Sequence, residues 1–260
     1  MGALGSRVAE SASSLIDALI LCTHPAWAEV MRDTLQAFHP GAQLHFVHTD
    51  EDLQALDPRL LQKSRLICLF SQVIVPPHIL QEVAWGSFNF HPGPPTRPGW
   101  APLNYAILEG DTHFGTTFHV ATERVDQGEI LAVDEFDISP PLTYPQLSHW
   151  VSESLMRLIS RVGPALFAKS QASSQGQWAW GDQRRFKSNL QTDTLVKSED
   201  LDAKHMDRLV RAFGMSAELC QLRILHEAQV FVYDPLRQFK PLEADLSLHG
   251  HLLFKSTSKP

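Results

Sequence analysis

The stretch FNFHPGPP, Phe88 to Pro95, sets an amide and an imidazole one residue apart, at Asn89 and His91, and runs straight into a proline-rich loop. Successive side chains of an extended strand alternate faces, so Asn89 and His91 project together while Phe88 and Phe90 point the other way. The ring of Pro92 clashes with a helical predecessor and so restricts His91 to extended backbone. A donor amide beside a stiffly mounted imidazole suits general acid–base work: Asn89 offers N–H groups to a developing oxyanion and His91 moves a proton. The competing account is a histidine satisfied by a backbone carbonyl, with Asn89 as a turn residue. The eight residues alone do not choose between them.

The elements that must hold this pair read as βαβ units. ALILCT (18–23) is a buried strand, and Pro25 opens a helix that should lay Trp27, Val30, Met31, Leu35 and Phe38 on a sheet. AQLHFVHT and RLICLF are two more strands, joined by a helical stretch that Pro58 breaks or restarts. PPHILQEVA is a helix with proline at its start, GSFNFH is the fourth strand, and APLNYAILEG is a helix closed by Gly110. GTTFHVAT and GEILAVDEFDI are strands, followed by a long amphipathic helix from Thr143 to Lys169. The expected fold is α/β: a Rossmann-like, mostly parallel sheet with flanking helices, plus a small β-rich C-terminal module. Asn89 and His91 then sit near the carboxyl end of a central strand, where open α/β sheets bind ligands.

The polar run Ser170–Gln177 has no apolar period and marks a domain boundary. Residues 1–16 read as a flexible leader, 17–170 as the catalytic core and 178–260 as a small C-terminal domain. The leader fits the loose M-G-x-x-x-S myristoylation pattern through Gly2 and Ser6, lacks a secretory signal, and reads better as a polar tail; the expected location is cytoplasmic. No run reaches the roughly 18 apolar residues of a membrane span. Cys22, Cys68 and Cys220 stand singly, which argues against a disulfide framework or a thiolate metal site. His249 and His251 are too few for a metal, and no H-E-x-x-H occurs, so no metal is expected. Residues 175–260 hold 12 Lys or Arg against 11 Asp or Glu, a net +1, while residues 1–174 net −8. Neither carries the basic excess that nucleic-acid phosphates demand.

Downstream context separates the two accounts of His91. Asn89-Phe90-His91, then Gly99 and Pro102, Tyr105-Ala106-Ile107 with Gly110, Gly115-Thr116-Thr117-Phe118-His119 and Asp126-Gln127-Gly128-Glu129-Ile130 follow in order over about 40 residues. The series resembles the core of the folate-dependent formyltransferases, over roughly residues 17–170. The resemblance implies transfer of a formyl group from 10-formyltetrahydrofolate to an amine, with Asn89, His91 and Asp126 catalytic. It implies that Asp126 lies beside His91, orients it and raises its pKa. It also assigns Phe70, Ser71, Gln72, Val73, Ile74 and Gly128 to folate, and Pro92, Gly93, Trp100, Thr117 and His119 to the substrate pocket. Two departures stand out: Ser71-Gln72 replaces the family's aromatic-Gly pair, and GPPTRP replaces a longer Leu-Leu-Pro loop.

The acceptor is open at this stage. A nucleotide-linked amino sugar or other small amine is favoured, and Arg184, Arg185 and Lys187 offer charges for a phosphorylated substrate or form a solvated basic turn. The alternatives are water, in a 10-formyltetrahydrofolate hydrolase; initiator methionyl-tRNA, disfavoured by charge; and a non-catalytic folate-binding module. The first strand leads into THPAW with no glycine-rich turn, which weakens a dinucleotide-binding oxidoreductase. A homodimer is compatible with all of these.

Overall fold

The computed structural model describes residues 15–170, 173–216, 221–239 and 243–256. Gly2, Ser6 and Cys220 lie outside them. The chain divides into two compact units: one of residues up to Pro98 with Gly115–Glu135 and Glu153–Gly181, the other of Gly99–Phe114, Phe136–Ser152 and Asp182 onward.

The first unit is organised by a six-stranded sheet of order β2-β1-β3-β4-β5-β6, with β1 Ala18–Thr23, β2 Gln43–Val47, β3 Ser64–Leu69, β4 Ser87–His91, β5 His113–Val120 and β6 Ile130–Asp137. β1 pairs in parallel with β2 and β3, and β3 with β4, while β4 and β5 are antiparallel. The expected mostly parallel α/β sheet is therefore present, and the second sheet expected in the C-terminal part is present too. β1 and β3 are buried along their whole length, which is why they read as continuous apolar runs rather than alternations.

Helix α1 spans Ala28–Phe38, preceded by a 3₁₀ turn at Pro25–Trp27. It buries Met31 and Leu35 but leaves Val30 45% exposed, so the stripe facing the sheet is narrower than its apolar content suggests. Pro58 does restart the next helical stretch: α2 is Asp50–Gln54 and α3 is Pro58–Leu61, with Asp57 accepting from Arg59 N at 2.9 Å as its cap. α4 (Pro77–Glu82) leads into β4. The long helix α6 runs Tyr144–Leu166, and α5, discussed below, is Pro102–Glu109. At the start of α6, Gln146 Oε1 accepts from Thr143 N at 2.9 Å, a reversed form of the expected Thr143 cap.

Arg65 anchors the far end of this unit. It is 1% exposed, donates to the carbonyls of Trp85, Ala165, Leu166 and Ser170, and lies 4.9 Å from the Phe88 ring centroid. Burial lowers its pKa to about 10, still high enough to keep it charged at neutral pH. It thus caps the last carbonyls of α6 with positive charge, where the helix dipole favours it.

In the second unit α5 packs on α8 (Ala203–Phe213). Asn104, fully buried, donates to Ala212 O at 2.7 Å and Ser216 Oγ at 2.9 Å, and Tyr105 OH donates to Asp193 Oδ2 at 2.7 Å. The C-terminal sheet has the order β10-β11-β9-β8-β7, with β7 Leu195–Lys197, β8 Arg223–His226, β9 Gln229–Tyr233, β10 Leu246–Leu248 and β11 His251–Lys255. Met206, Leu209 and Phe213 of α8 are buried as their spacing predicts, and Val210 only partly. The short α7 (Lys187–Asp193) and β7 carry no periodic signal long enough to read from sequence.

Candidate active site

Register aligns the site before any side chain is considered. Cys22 pairs with Cys68, Cys68 with Asn89, and Asn89 with His119, so these four residues form one row across β1, β3, β4 and β5. Phe88 and Phe90, on the opposite face of β4, are buried against Phe118 at ring-centroid distances of 5.4 and 4.6 Å. The alternation of β4 is as expected: aromatic residues beneath, Asn89 and His91 together on the other side.

At the apolar end of the row, the Cys68 thiol hydrogen-bonded to Cys22, together with burial, pushes the Cys22 thiol well above its ordinary pKa. A thiol held protonated is a poor nucleophile, and the pair serves as core.

At the polar end, four side chains meet. His91 and Asp126 are each 3% exposed and His119 is 2% exposed. Asp126 Oδ2 lies 3.4 Å from His91 Nδ1, and Asp126 Oδ1 lies 3.2 Å from His119 Nε2. Asn89 Nδ2 reaches His119 Nε2 at 3.0 Å and Asp126 Oδ1 at 3.4 Å. The outer ring nitrogens are fixed by carbonyls, which can only accept: His91 Nε2 donates to Arg97 O at 2.9 Å, and His119 Nδ1 donates to Val120 O at 2.8 Å. Each histidine therefore turns its remaining nitrogen toward the carboxylate. A hydrogen bond across either contact needs one further proton, so Asp126 and the two imidazoles form a proton-sharing set.

Burial lowers the pKa of His91; the nearby Asp126 charge and the Arg97 carbonyl oppose that, and His119 adds to it. Asp126 does act upward, as the family resemblance implies, but desolvation outweighs it, so His91 is neutral at pH 7 rather than a standing imidazolium.

Asp126 reaches this position from a turn between β5 and β6 and takes φ +50, a left-handed conformation that Asp tolerates better than most residues. Gly128, two residues on, has no alternative: a Cβ there would meet Val120 O at 1.8 Å. Thr117 Oγ1 donates to Gly93 O at 2.8 Å and pins the start of the proline loop, with Gly93 buried and Pro92 half-buried. Trp100 belongs to the other unit, where its backbone N–H donates to Arg185 O at 2.9 Å and Lys187 Nζ lies 5.4 Å from its ring centroid.

The residues assigned to folate follow β3. Phe70 has φ +47 and stacks on Trp27 at 4.6 Å; Ser71 Oγ accepts from Val73 N at 3.1 Å; Gln72 is exposed, Val73 is buried in the core, and Ile74 is 56% exposed. Val73 can therefore offer a ligand its backbone only. Beside this loop, at the carboxyl end of β1, the Thr23 hydroxyl is buried without a hydrogen-bond partner. An orphaned hydroxyl next to a tightly turned loop fits a polar heterocycle such as a pterin. Sequence reading gave Thr23 no role, since a threonine closing a buried strand carries no signal of its own.

It also missed Trp180. This indole donates from Nε1 to Gly128 O at 2.7 Å and sets its ring edge-on to His119 at 4.9 Å and His91 at 5.9 Å. Among the described residues no group of three or more His, Cys, Asp or Glu is arranged to hold a metal ion.

Residues 39–162 match the sequence model of the formyl transferase family. A methionyl-tRNA formyltransferase of Bacillus thuringiensis is 35% identical over 117 residues, which is 45% of this chain and 36% of that enzyme. The chain thus spans about a third of the length of the curated relatives it matches. Among solved structures, a 4-N formyltransferase from Francisella tularensis aligns with TM-score 0.63 at 14% identity, covering 84% of this chain and 97% of the other. The formyltransferase PseJ from Anoxybacillus kamchatkensis, in complex with UDP-4,6-dideoxy-4-formamido-L-AltNAc and tetrahydrofolate, aligns with TM-score 0.51 at 18% identity over 67% and 88% of the two chains. Asn89, His91, His119 and Asp126 thus all lie in the segment that matches the formyl transferase family model, on a fold shared with solved formyltransferases.

Proposed function

We propose that this chain transfers the formyl group of 10-formyltetrahydrofolate to a small amine, with a nucleotide-linked amino sugar the favoured acceptor. The observation that carries the reading is the buried contact of Asn89, His91 and Asp126 at the carboxyl end of β4, inside the family-matched segment. A purely structural or folate-carrying module has no use for a desolvated carboxylate between two imidazoles, an arrangement that costs stability and is concentrated at functional sites.

Phe70–Ile74 and the Thr23 hydroxyl would hold the pterin, and the bound donor supplies the electrophilic formyl carbon. Asn89 would turn the N–H now held weakly at 3.4 Å toward the charge developing on the formyl oxygen. In the working tautomer, His91 Nδ1–H donates to Asp126 and Nε2 is the base; Arg97 O, which holds the opposite tautomer, must first release it. His91 then takes one proton from the attacking amine as the new C–N bond forms. Asp126 stabilises the imidazolium, and the same proton is returned to N10 of the folate as the old C–N bond breaks. No proton is gained or lost, and no covalent enzyme intermediate is required.

The sugar-nucleotide acceptor is supported by the ligand of PseJ and by the near-neutral charge of residues 175–260, which disfavours tRNA. The test is the absorbance of 10-formyltetrahydrofolate mixed with the protein and a panel of amino-sugar nucleotides. Conversion to tetrahydrofolate with one panel member, absent in His91→Ala, is expected. A wild-type protein that binds the folate but leaves it unconverted, with every amine of the panel and with water alone, would sink the enzymatic reading.

A further inference from the structure

The polar run between the core and the C-terminal part is tied down along its described length. Ser174 Oγ donates to Ile130 O at 3.0 Å and Gln175 N to Leu131 O at 2.8 Å, both on β6. Trp180 Nε1 donates to Gly128 O, and Gly181 N donates to Pro95 O at 2.9 Å. Gly181 lies so close to the proline loop that a Cβ there would meet Thr96 O at 2.8 Å. Residues 174–181 thus run as a strap from the edge strand, past the Asp126–Gly128 turn, to the proline loop. All of these contacts lie within the first unit.

We infer that Trp180 is a positioning residue of the proposed reaction: the back wall of the His91–Asp126–His119 cluster, which fixes both imidazoles and keeps water away from them. Three relations support this. The indole meets both rings edge-on, at interplanar angles of 76° and 88°, so one flat side chain limits the rotation of each. Its N–H is bound to the turn that delivers Asp126, through Gly128 O, so wall and carboxylate are held by the same turn. And His91, Asp126 and His119 remain almost wholly desolvated although the strap residues 173–177 are themselves exposed. From the proline loop the Arg97 carbonyl also covers His91, accepting from its Nε2 at 2.9 Å.

The consequence rests on the proposed formyl transfer. A water molecule at the back of His91 would be activated by the same base as the amine and would hydrolyse the donor. Trp180 is then what makes the site a transferase rather than a hydrolase.

The experiment compares wild type, Trp180→Phe and Trp180→Ala in two ways. The first reads hydrogen–deuterium exchange at the imidazole Cε1 of His91 by mass spectrometry, with exposed His78 as internal reference. The second reads acceptor-free loss of the formyl group from 10-formyltetrahydrofolate. Trp180→Ala is expected to speed His91 exchange several-fold relative to His78 and to raise acceptor-free hydrolysis. Trp180→Phe, which keeps an aromatic wall and loses the bond to Gly128, should fall between. Unchanged His91 exchange in a folded Trp180→Ala protein overturns the inference; if that variant does not fold, unchanged exchange in Trp180→Phe does so. Should Trp180→Ala expose His91 yet leave the folate untouched, the hydrolysis consequence is overturned while the exchange data still decide the wall; failure of the proposed transfer is read separately, from the wild-type protein with the amine panel.

Discussion

His119 Nε2 stands 3.2 Å from Asp126 Oδ1, nearer than the 3.4 Å between His91 and the same carboxylate. The carboxylate is therefore shared, and the histidine outside the Asn-x-His pair holds it at least as closely as the one inside. Removing the charge should affect both rings while leaving the turn intact. Asp126→Asn is the suitable change because Asn, like Asp, accepts the left-handed φ of +50. The expected outcome is a folded protein, by circular dichroism and thermal midpoint, whose folate turnover falls by about 10²- to 10⁴-fold. Turnover within a few-fold of wild type would remove Asp126 from the chemistry.

The lowered pKa of His91 fixes the direction of an acid effect on stability. The folded protein binds this proton less readily than the unfolded chain, whose histidines titrate near about 6.5. Its contribution is therefore complete above that pH and is lost as the pH falls through the lower folded value. Urea midpoints of wild type and His91→Gln, measured from about pH 8 to pH 5, should converge or cross on the acid side as wild type alone loses stability. A constant difference across the range would show that His91 binds protons equally in both states.

Two glycines make a matched comparison. Gly128→Ala drives a methyl into the Val120 carbonyl, whereas Gly110, with φ +80, has open space around a Cβ. Gly110→Ala should cost only the left-handed backbone penalty, about 1 kcal/mol. Gly128→Ala should cost about 1–3 kcal/mol or more by overpacking and also displace Asp126. Denaturant unfolding gives the first quantity, and folate turnover separates the two variants: near normal for Gly110→Ala, strongly reduced for Gly128→Ala.

Arg65 is expected to be structural and nothing else. Arg65→Met leaves the carbonyls of Trp85, Ala165, Leu166 and Ser170 without their donor. The loss should be about 2–4 kcal/mol in chemical denaturation: an orphaned buried carbonyl costs about 1–3 kcal/mol, and the partly buried ones among the four recover part of that from water. Turnover per folded molecule should be unchanged. A specific defect in turnover at full folding would contradict this.

How much of this was legible varies with the range of the interaction. β4 and its paired side chains follow from two-residue periodicity and the geometry of the residue before Pro92, both local. The buried runs of β1 and β3 follow from composition alone. Asp126 is 35 residues from His91, and no spacing argument joins them; the resemblance did so. Val30 was expected on the sheet because a helical stripe specifies spacing but not width. α7 and β7 are too short to show a period. Trp180 was overlooked because Gly, Ser and Gln around it read as a solvated joint. The available signal was compositional: two tryptophans, Trp178 and Trp180, closing a stretch otherwise without large apolar residues. Large aromatic side chains seldom occur in a free linker, because they need a surface to cover.

The bond from Gly181 to Pro95 joins positions 86 residues apart, and it bears on how this chain can be cut and recombined. A fragment ended at the polar run would keep every member of the Asn-His-Asp set and still lack the tryptophan behind it. Chimaeras that graft another acceptor module onto this core should therefore place the junction after Gly181. Spliced earlier, they would be expected to consume their donor without delivering it, and so to look like a change of specificity when the cause is a missing wall.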